Sequence, residues 1–102
     1  MRLRGAVEGV SRLGSVLVRL KVLPDDVSVS LDELAEQISR KLPQGSTLLR
    51  RAQEPIAFGL SALILDVKVS EEEGILDKLE SSISEVEHVS QVDVIGVSRF
   101  ST

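Results

Sequence analysis

One pattern occurs twice in this sequence: a segment in which apolar residues alternate with other residues is followed by a helix-capping signal and then by apolar residues at helical spacing. The first copy begins with SVLVRLKVL (15–23), and the second begins with LSALILDVKVS (60–70). Alternation rich in Val, Ile and Leu is typical of a strand with one buried face. Apolar residues at every third or fourth position are typical of an amphipathic helix. The sequence therefore predicts two similar halves, each a strand followed by a helix.

Each half continues with a Ser-x-x-Glu capping box, in which the Ser side chain accepts a hydrogen bond from the Glu amide while the Glu side chain reaches back. The first box is Ser30 to Glu33, and the second is Ser70 to Glu73, where three consecutive acids suit a helix N-terminus. Gly74 weakens the expected first turn of the second helix. Both helices then have one apolar stripe to bury, made of Leu31, Leu34, Ile38 and Leu42 in the first and of Ile75, Leu76, Leu79, Ile83 and Val86 in the second.

Two further segments are predicted to be strands. STLLRRAQEPIAFG (46–59) starts like a strand and is expected to break at Pro55, so that a hairpin turns around Pro55–Gly59 into residues 60–70. HVSQVDVIGVSRF (88–100) returns to alternation. The resulting order is β-α-β-β-α-β, and both helices need to cover the same sheet face. The sequence therefore predicts an α+β fold, a ferredoxin-like α/β sandwich with a four-stranded antiparallel sheet and two helices on one face.

A single domain is predicted for residues 15–102, because 102 residues leave no room for a second core. Residues 1–14 have no clean period, and we expect a disordered N-terminal tail there. A short helix or a basic docking arm is the alternative for this segment. The sheet face away from the helices is expected to be exposed to solvent or to a partner, and it carries Leu17, Arg19, Lys21, Ala62, Ile64, Asp66 and Lys68.

The composition excludes several classes of protein and site. Without Cys there can be no disulfide, Cys-ligated zinc or thiol nucleophile, and a reducing, cytoplasmic location fits. A net charge of −4 argues against binding to a phosphate backbone, and two Phe without Tyr or Trp cannot supply a stacking platform. The apolar runs are far shorter than the roughly 20 residues that span a bilayer. We therefore expect no direct nucleic-acid ligand, no membrane segment and no secretory signal.

The sequence also lacks the residue combinations that covalent catalysis requires. His88 has no His or Cys partner at ligand spacing, so it is expected to cap or decorate the turn after the second helix. The acids Glu71–Glu73 are interpreted as a solvated helix start, and no Gly-rich phosphate loop precedes a helix. These features favour a binding protein over an enzyme that makes or breaks covalent bonds, and we expect no metal and no cofactor.

Two segments carry a resemblance to a known family. PIAFGLSAL (55–63), followed by strand, acid-rich segment and helix, resembles the archaeal elongation factor 1-beta family. It is similar to the guanine-exchange domain of the eukaryotic factor, which has a Pro-Ile-Gly-Phe/Tyr-Gly-Ile segment at this place. HVSQVDVIGVSRF (88–100) resembles the carboxyl end of that domain, with its His-Val-Gln-Ser-x-Asp pattern and a basic residue near the terminus. The resemblance covers about residues 15–100, in order.

The resemblance implies an exchange factor that releases GDP from elongation factor 1-alpha so that GTP can enter. Arg99 aligns with a penultimate Lys that the eukaryotic domain directs at the Mg²⁺ site of its partner, so Arg99 is expected to displace that ion. The alternative is an ordinary surface residue, since Arg is larger and planar and three residues follow it. Phe58 matches the aromatic of the Pro-Ile-Gly-Phe segment, and with Pro55 and Gly59 it is expected to contact the partner. A Phe58 side chain buried against the sheet is the alternative.

One rival function comes from another class of protein: a ferredoxin-like regulatory module that dimerises and binds a small metabolite between its helices. The sequence offers no convergent polar groups for such a ligand. An acyl-phosphate hydrolase on the same fold would need an Arg-bearing phosphate loop early in the chain, and the sequence lacks one.

Overall fold

The computed structural model describes residues 14–99, so the predicted tail at 1–14 lies outside the described residues except for Gly14. The neighbouring strands are all antiparallel, and their spatial order is β2-β3-β1-β4. The predicted ferredoxin-like fold is confirmed. Its elements are β1 (Ser15–Pro24), α1 (Leu31–Lys41), β2 (Ser46–Ala57), β3 (Leu60–Ser70), α2 (Ile75–Ser84) and β4 (Val89–Arg99).

The core lies between one face of the sheet and the two helices. The alternating apolar residues of β1 and β3 point into it, and both predicted helix stripes pack against them. Leu42 and Leu76 are the partly buried members of those stripes. Burial of this aliphatic surface is the main favourable contribution to folding. The largest fully buried side chains are Val18, Leu20, Val22, Leu63, Leu65, Val67, Val69, Ile38, Leu79 and Ile83.

The two helices begin differently, and only the first follows its capping box. The Ser30 hydroxyl accepts a hydrogen bond from the Glu33 amide at 3.3 Å, as predicted for α1. The prediction that Ser70 caps the second helix is wrong, because α2 begins at Ile75 after Gly74, which has φ +79°. Ser70 is still the last residue of β3, and its hydroxyl donates to a Glu72 carboxylate oxygen at 3.3 Å. The chain therefore needs a turn before it can start the helix, and glycine adopts the left-handed conformation that this turn uses.

The β2–β3 hairpin turns later than the sequence predicts. β2 does not break at Pro55 but continues to Ala57, with Pro55 opposite Ser61 on β3. The turn consists of two residues, Phe58 and Gly59, with φ +54° and +78°. β2 is an edge strand, so one of its sides has no neighbouring strand. A proline is tolerated in such a strand because its missing N–H group can face solvent. Pro55 therefore belongs to the arm of the hairpin and not to its turn.

The sheet face away from the helices is less exposed than predicted. Asp66 is only 6% exposed although no helix covers it, and Ala62 is fully buried. The Arg19 guanidinium lies against the Asp66 carboxylate, with Nε to Oδ1 at 2.7 Å and Nη2 to Oδ2 at 3.0 Å. Arg50 stands opposite Asp66 on β2. Hydrogen bonds from Arg19, together with its charge and that of Arg50, lower the pKa of Asp66 despite its burial.

Candidate functional site

The residues predicted to contact a partner lie at two opposite ends of the sheet. Arg99 is the last residue of β4 and pairs with Val16 near the start of β1. Phe58 lies in the turn that joins β2 to β3. Since β3 runs from that turn back to the start of β1, its 11 residues separate the two ends by roughly 35 Å. We call them the Phe58 end and the Arg99 end. The structure brings Pro55, Phe58 and Gly59 together but not Arg99.

The Phe58 side chain is fully exposed. Its 100% exposure rules out the alternative in which the ring packs against the sheet. Two-residue turns with positive φ at both positions favour Asn, Asp or Gly, and a bulky residue in the left-handed region costs roughly 1–2 kcal/mol. Neither burial nor turn chemistry therefore accounts for an aromatic residue at this position. Sites that combine strain with exposure are characteristic of binding surfaces.

The arm that carries Phe58 is stiff and apolar near its tip. Pro55 fixes its own φ and is paired across the hairpin with Ser61. Ile56, between Pro55 and the turn, interrupts the regular register and is also exposed. Gly59 has no atom within 4 Å of the position that a Cβ would occupy, so only its backbone conformation requires glycine. The hairpin thus presents Phe58 on a defined backbone.

The Arg99 side chain is 75% exposed and paired with an acid. Its Nη1 and Nη2 atoms lie 3.4 Å from the Oε1 and Oε2 atoms of Glu71. Glu71 follows β3, and its own amide donates to the Gly14 carbonyl oxygen at 3.3 Å. An ion pair this exposed contributes only about 0.2–1 kcal/mol. The pair therefore orients the cation without removing it from solvent.

Glu71 is the residue of this site that sequence reasoning missed. The sequence pattern predicts a solvated helix start at Glu71, yet the helix begins only at Ile75 and Glu71 lies beside Arg99. The two residues are 28 positions apart, and only the strand register places them together. A shallow groove of about 550 Å³ runs next to them, lined by Val16, Val97 and residues 71–77. Four of its lining residues are acids, of which Glu71 pairs with Arg99 and Glu72 lies 3.9 Å from the Lys78 ammonium.

His88 lies in the turn after α2, as predicted. It has a positive φ of 77°, and its carbonyl oxygen accepts a hydrogen bond from the Asp25 amide at 2.9 Å. Its Nδ1 atom is 3.4 Å from Asp25 Oδ1. This pair links the turn to the loop after β1 at the Phe58 end. Across residues 14–99, no three His, Asp or Glu side chains are grouped in a way that could hold a metal ion.

Within the same stretch, neither helix has the length and apolar character needed to cross a bilayer.

Comparison with known proteins gives a consistent result. Residues 17–100 match the family described as EF-1 guanine nucleotide exchange domain. The chain is 48% identical over 85 residues to the elongation factor 1-beta of Saccharolobus islandicus (strain L.S.2.15) and to that of Saccharolobus solfataricus (strain P2). It is 47% identical over the same length to the elongation factor 1-beta of Sulfurisphaera tokodaii. Each match covers 82% of this chain and 93% of the relative. The resemblance inferred from the sequence is confirmed, and the chain belongs to the EF-1 guanine nucleotide exchange domain family.

Proposed function

We propose that this protein accelerates the exchange of GDP for GTP on elongation factor 1-alpha in the cytoplasm and so regenerates the form that binds aminoacyl-tRNA. The match over residues 17–100 carries this proposal, because it makes the chain a guanine nucleotide exchange domain whose partner is a GTPase. The relatives named elongation factor 1-beta support the specific partner. The exposed Phe58 adds a physical reason to expect a macromolecular contact.

Exchange of this kind needs no covalent step. A protein that binds the nucleotide-free GTPase more tightly than the GDP-bound form weakens GDP binding by the same factor, since the coupling free energy is reciprocal. GTPases hold their nucleotide largely through Mg²⁺ and the phosphate loop. Contacts that disturb either of these are enough to release GDP.

The Phe58 end is proposed as the anchor of the complex. A rigid, solvent-exposed aromatic side chain buries a large apolar area on binding and loses little conformational entropy. Aromatic anchors of this kind dominate the free energy of many interfaces. Pro55 and Gly59 contribute by fixing the backbone that presents the ring. We assign Phe58 mainly to affinity.

The Arg99 end is proposed to act on the nucleotide site of the GTPase. Arg99 offers a planar cationic guanidinium whose donors match phosphate oxygens, so it can compete with Mg²⁺ for them. Its ion pair with Glu71 is exposed and weak, so transfer of Arg99 to the partner costs little. With about 35 Å between the two ends, the GTPase has to extend along the length of the sheet.

A nucleotide-release assay tests the proposed function. Elongation factor 1-alpha is loaded with labelled GDP and mixed with unlabelled GTP, with or without this protein. Substoichiometric amounts of the protein are expected to accelerate release, since an exchange factor turns over. An unchanged release rate at stoichiometric excess would rule the function out.

A further inference from the structure

We propose that Val27, in the loop between β1 and α1, joins Phe58 in one contact surface for elongation factor 1-alpha, and that this surface fits a partner site that is apolar where it covers these two side chains and basic at its edge. The proposal rests on the proposed function and extends it to a second segment of the chain. We call this the Val27–Phe58 surface. It comprises Val27, Phe58 and the depression between their two turns.

The two turns lie side by side. A depression of about 170 Å³ separates them, lined by Val27 and Val29 from the loop and by Gly59 and Leu60 from the hairpin. Asp26, Gln53 and Ser61 line it as well, so most of its exposed lining is polar. Both segments are at the Phe58 end, because β1 ends where β3 begins. A partner surface that covers the hairpin tip can therefore contact Val27 as well.

Val27 is held outward by an ordered turn. The Asp26 carboxylate accepts a hydrogen bond from the Ser28 amide at 3.2 Å and a second one from the Ser28 hydroxyl. The Val29 amide donates to the Asp26 carbonyl oxygen at 3.3 Å. These bonds close the turn around Val27, which is left 62% exposed. A contact that is already fixed in the free protein loses less entropy on binding.

Exposed apolar side chains cluster at this end. The described residues include six large apolar side chains with high exposure, and Val27, Ile56 and Phe58 share the Phe58 end. The other three are Leu49, Ile95 and Val97, which lie on the edge strands. Single exposed apolar residues are normal on a protein surface, whereas a cluster at one end of the sheet, with Val27 and Phe58 held on fixed turns, indicates an interaction site.

The acidic residues around the Val27–Phe58 surface favour a partner with a basic surface. Asp25 and Asp26 precede Val27, Glu54 precedes the hairpin tip, and Glu87 lies before the His88 turn. Lys21 lies 3.9 Å from Glu54 and His88 lies 3.4 Å from Asp25, so acids still outnumber basic groups around the surface. This acidic rim attracts a basic surface and accelerates encounter with it. A second copy of this chain would bring an identical acidic rim, and a nucleic acid would bring phosphates. Both would be repelled, so the occupant is a basic-edged apolar site on the GTPase.

The test compares Val27→Ser with Ile95→Ser, a control with similar exposure on β4, opposite the middle of β1. Affinity for nucleotide-free elongation factor 1-alpha is measured by titration. Val27→Ser is expected to weaken binding roughly fivefold to tenfold, the equivalent of burying most of one valine. Ile95→Ser is expected to change it less than about twofold. The melting temperatures of both variants are measured alongside.

Three results would contradict the inference or a part of it. If the wild-type protein accelerates GDP release while Val27→Ser binds as tightly as wild type, the Val27 contact is wrong and the exchange function stands. If the wild-type protein neither binds nor accelerates release, both proposals fall together. Salt gives the third readout. The affinity of the wild-type protein is expected to decrease between about 50 and 300 mM salt, and an affinity that salt does not weaken would contradict the basic edge.

Discussion

The two ends of the sheet present side chains in opposite ways. At the Phe58 end, apolar side chains are held in solvent by fixed turns and the Phe58 ring is completely uncovered. At the Arg99 end, a cation is held by an internal acid, Glu71. Covering an exposed apolar side chain makes the free energy of binding more favourable. A paired cation, by contrast, has to exchange one anionic partner for another. The first arrangement suits affinity, and the second suits a contact that forms at a later step.

The largest expected effect is at Phe58. Phe58→Ala should weaken binding to elongation factor 1-alpha roughly 30- to 100-fold, because it removes the aromatic anchor. Its melting temperature should not fall, since the side chain contacts no core and occupies a strained turn position. Phe58→Asn serves as the matched control, because Asn favours this turn. It should raise the melting temperature and weaken binding to a similar extent. A stability loss with unchanged affinity would reverse the interpretation of this end.

The next effect is at Arg99. Arg99→Ala should lower the rate of GDP release at saturating protein about tenfold, while its affinity for the GTPase changes less than about threefold. Arg40→Ala is the control, because Arg40 is an equally exposed arginine that also pairs with a glutamate, Glu36. It should leave both quantities unchanged. Full exchange activity in Arg99→Ala would remove this residue from the mechanism.

Asp66 lies between the two ends, so a substitution there should change neither the affinity for the GTPase nor the rate of GDP release. Asp66→Asn removes the charge that pairs with Arg19, and we expect a decrease of about 3–5 °C in the melting temperature with normal exchange. Asp93→Asn, on β4, is the control and should change the melting temperature less.

The Asp66 pair also predicts a pH dependence. Because the pKa of Asp66 is lowered in the folded protein, its contribution to stability is complete above about pH 4 and is lost as pH falls through the folded pKa. The wild-type protein should therefore lose more stability below pH 4 than Asp66→Asn. Parallel pH profiles of the two proteins would contradict a charged Asp66.

The smallest effect is expected at Glu71. Glu71→Gln keeps a polar side chain beside Arg99 but removes the charge that orients it, so the rate of GDP release at saturation should fall about twofold. The difference should vanish at high salt, which screens the exposed pair in the wild-type protein. Glu73→Gln, in the same segment, is the control and should behave as wild type. A variant that exchanges faster than wild type would indicate that Glu71 restrains Arg99.

The sequence predicted the fold because each strand and helix carries its own period. It misplaced the start of α2, since Ser70 has the residue type of a cap but pairs with Ser15 in the sheet. It placed the hairpin turn too early, because a proline ends most strands but is tolerated on an edge. Both errors arose where tertiary pairing overrides a local signal.

Most of the candidate site could be identified only from the structure. The exposure of Phe58 and the Glu71–Arg99 pair depend on strand register, which the sequence does not specify. No sequence pattern identifies Val27, because a valine between Asp26 and Ser28 matches neither a strand nor a helix period. The separation of Phe58 from Arg99 could have been predicted, since the β-α-β-β-α-β order already places the β2–β3 turn opposite the end of β4.

The division of roles between the two ends is tested most directly by titrating elongation factor 1-alpha loaded with labelled GDP with the wild-type protein, Phe58→Ala and Arg99→Ala, and measuring the GDP release rate by stopped flow. The Phe58→Ala curve should shift to higher concentration and reach the wild-type plateau, whereas the Arg99→Ala curve should keep its midpoint and reach a lower plateau. Two curves that differ from wild type in the same parameter would contradict separate roles for the two ends.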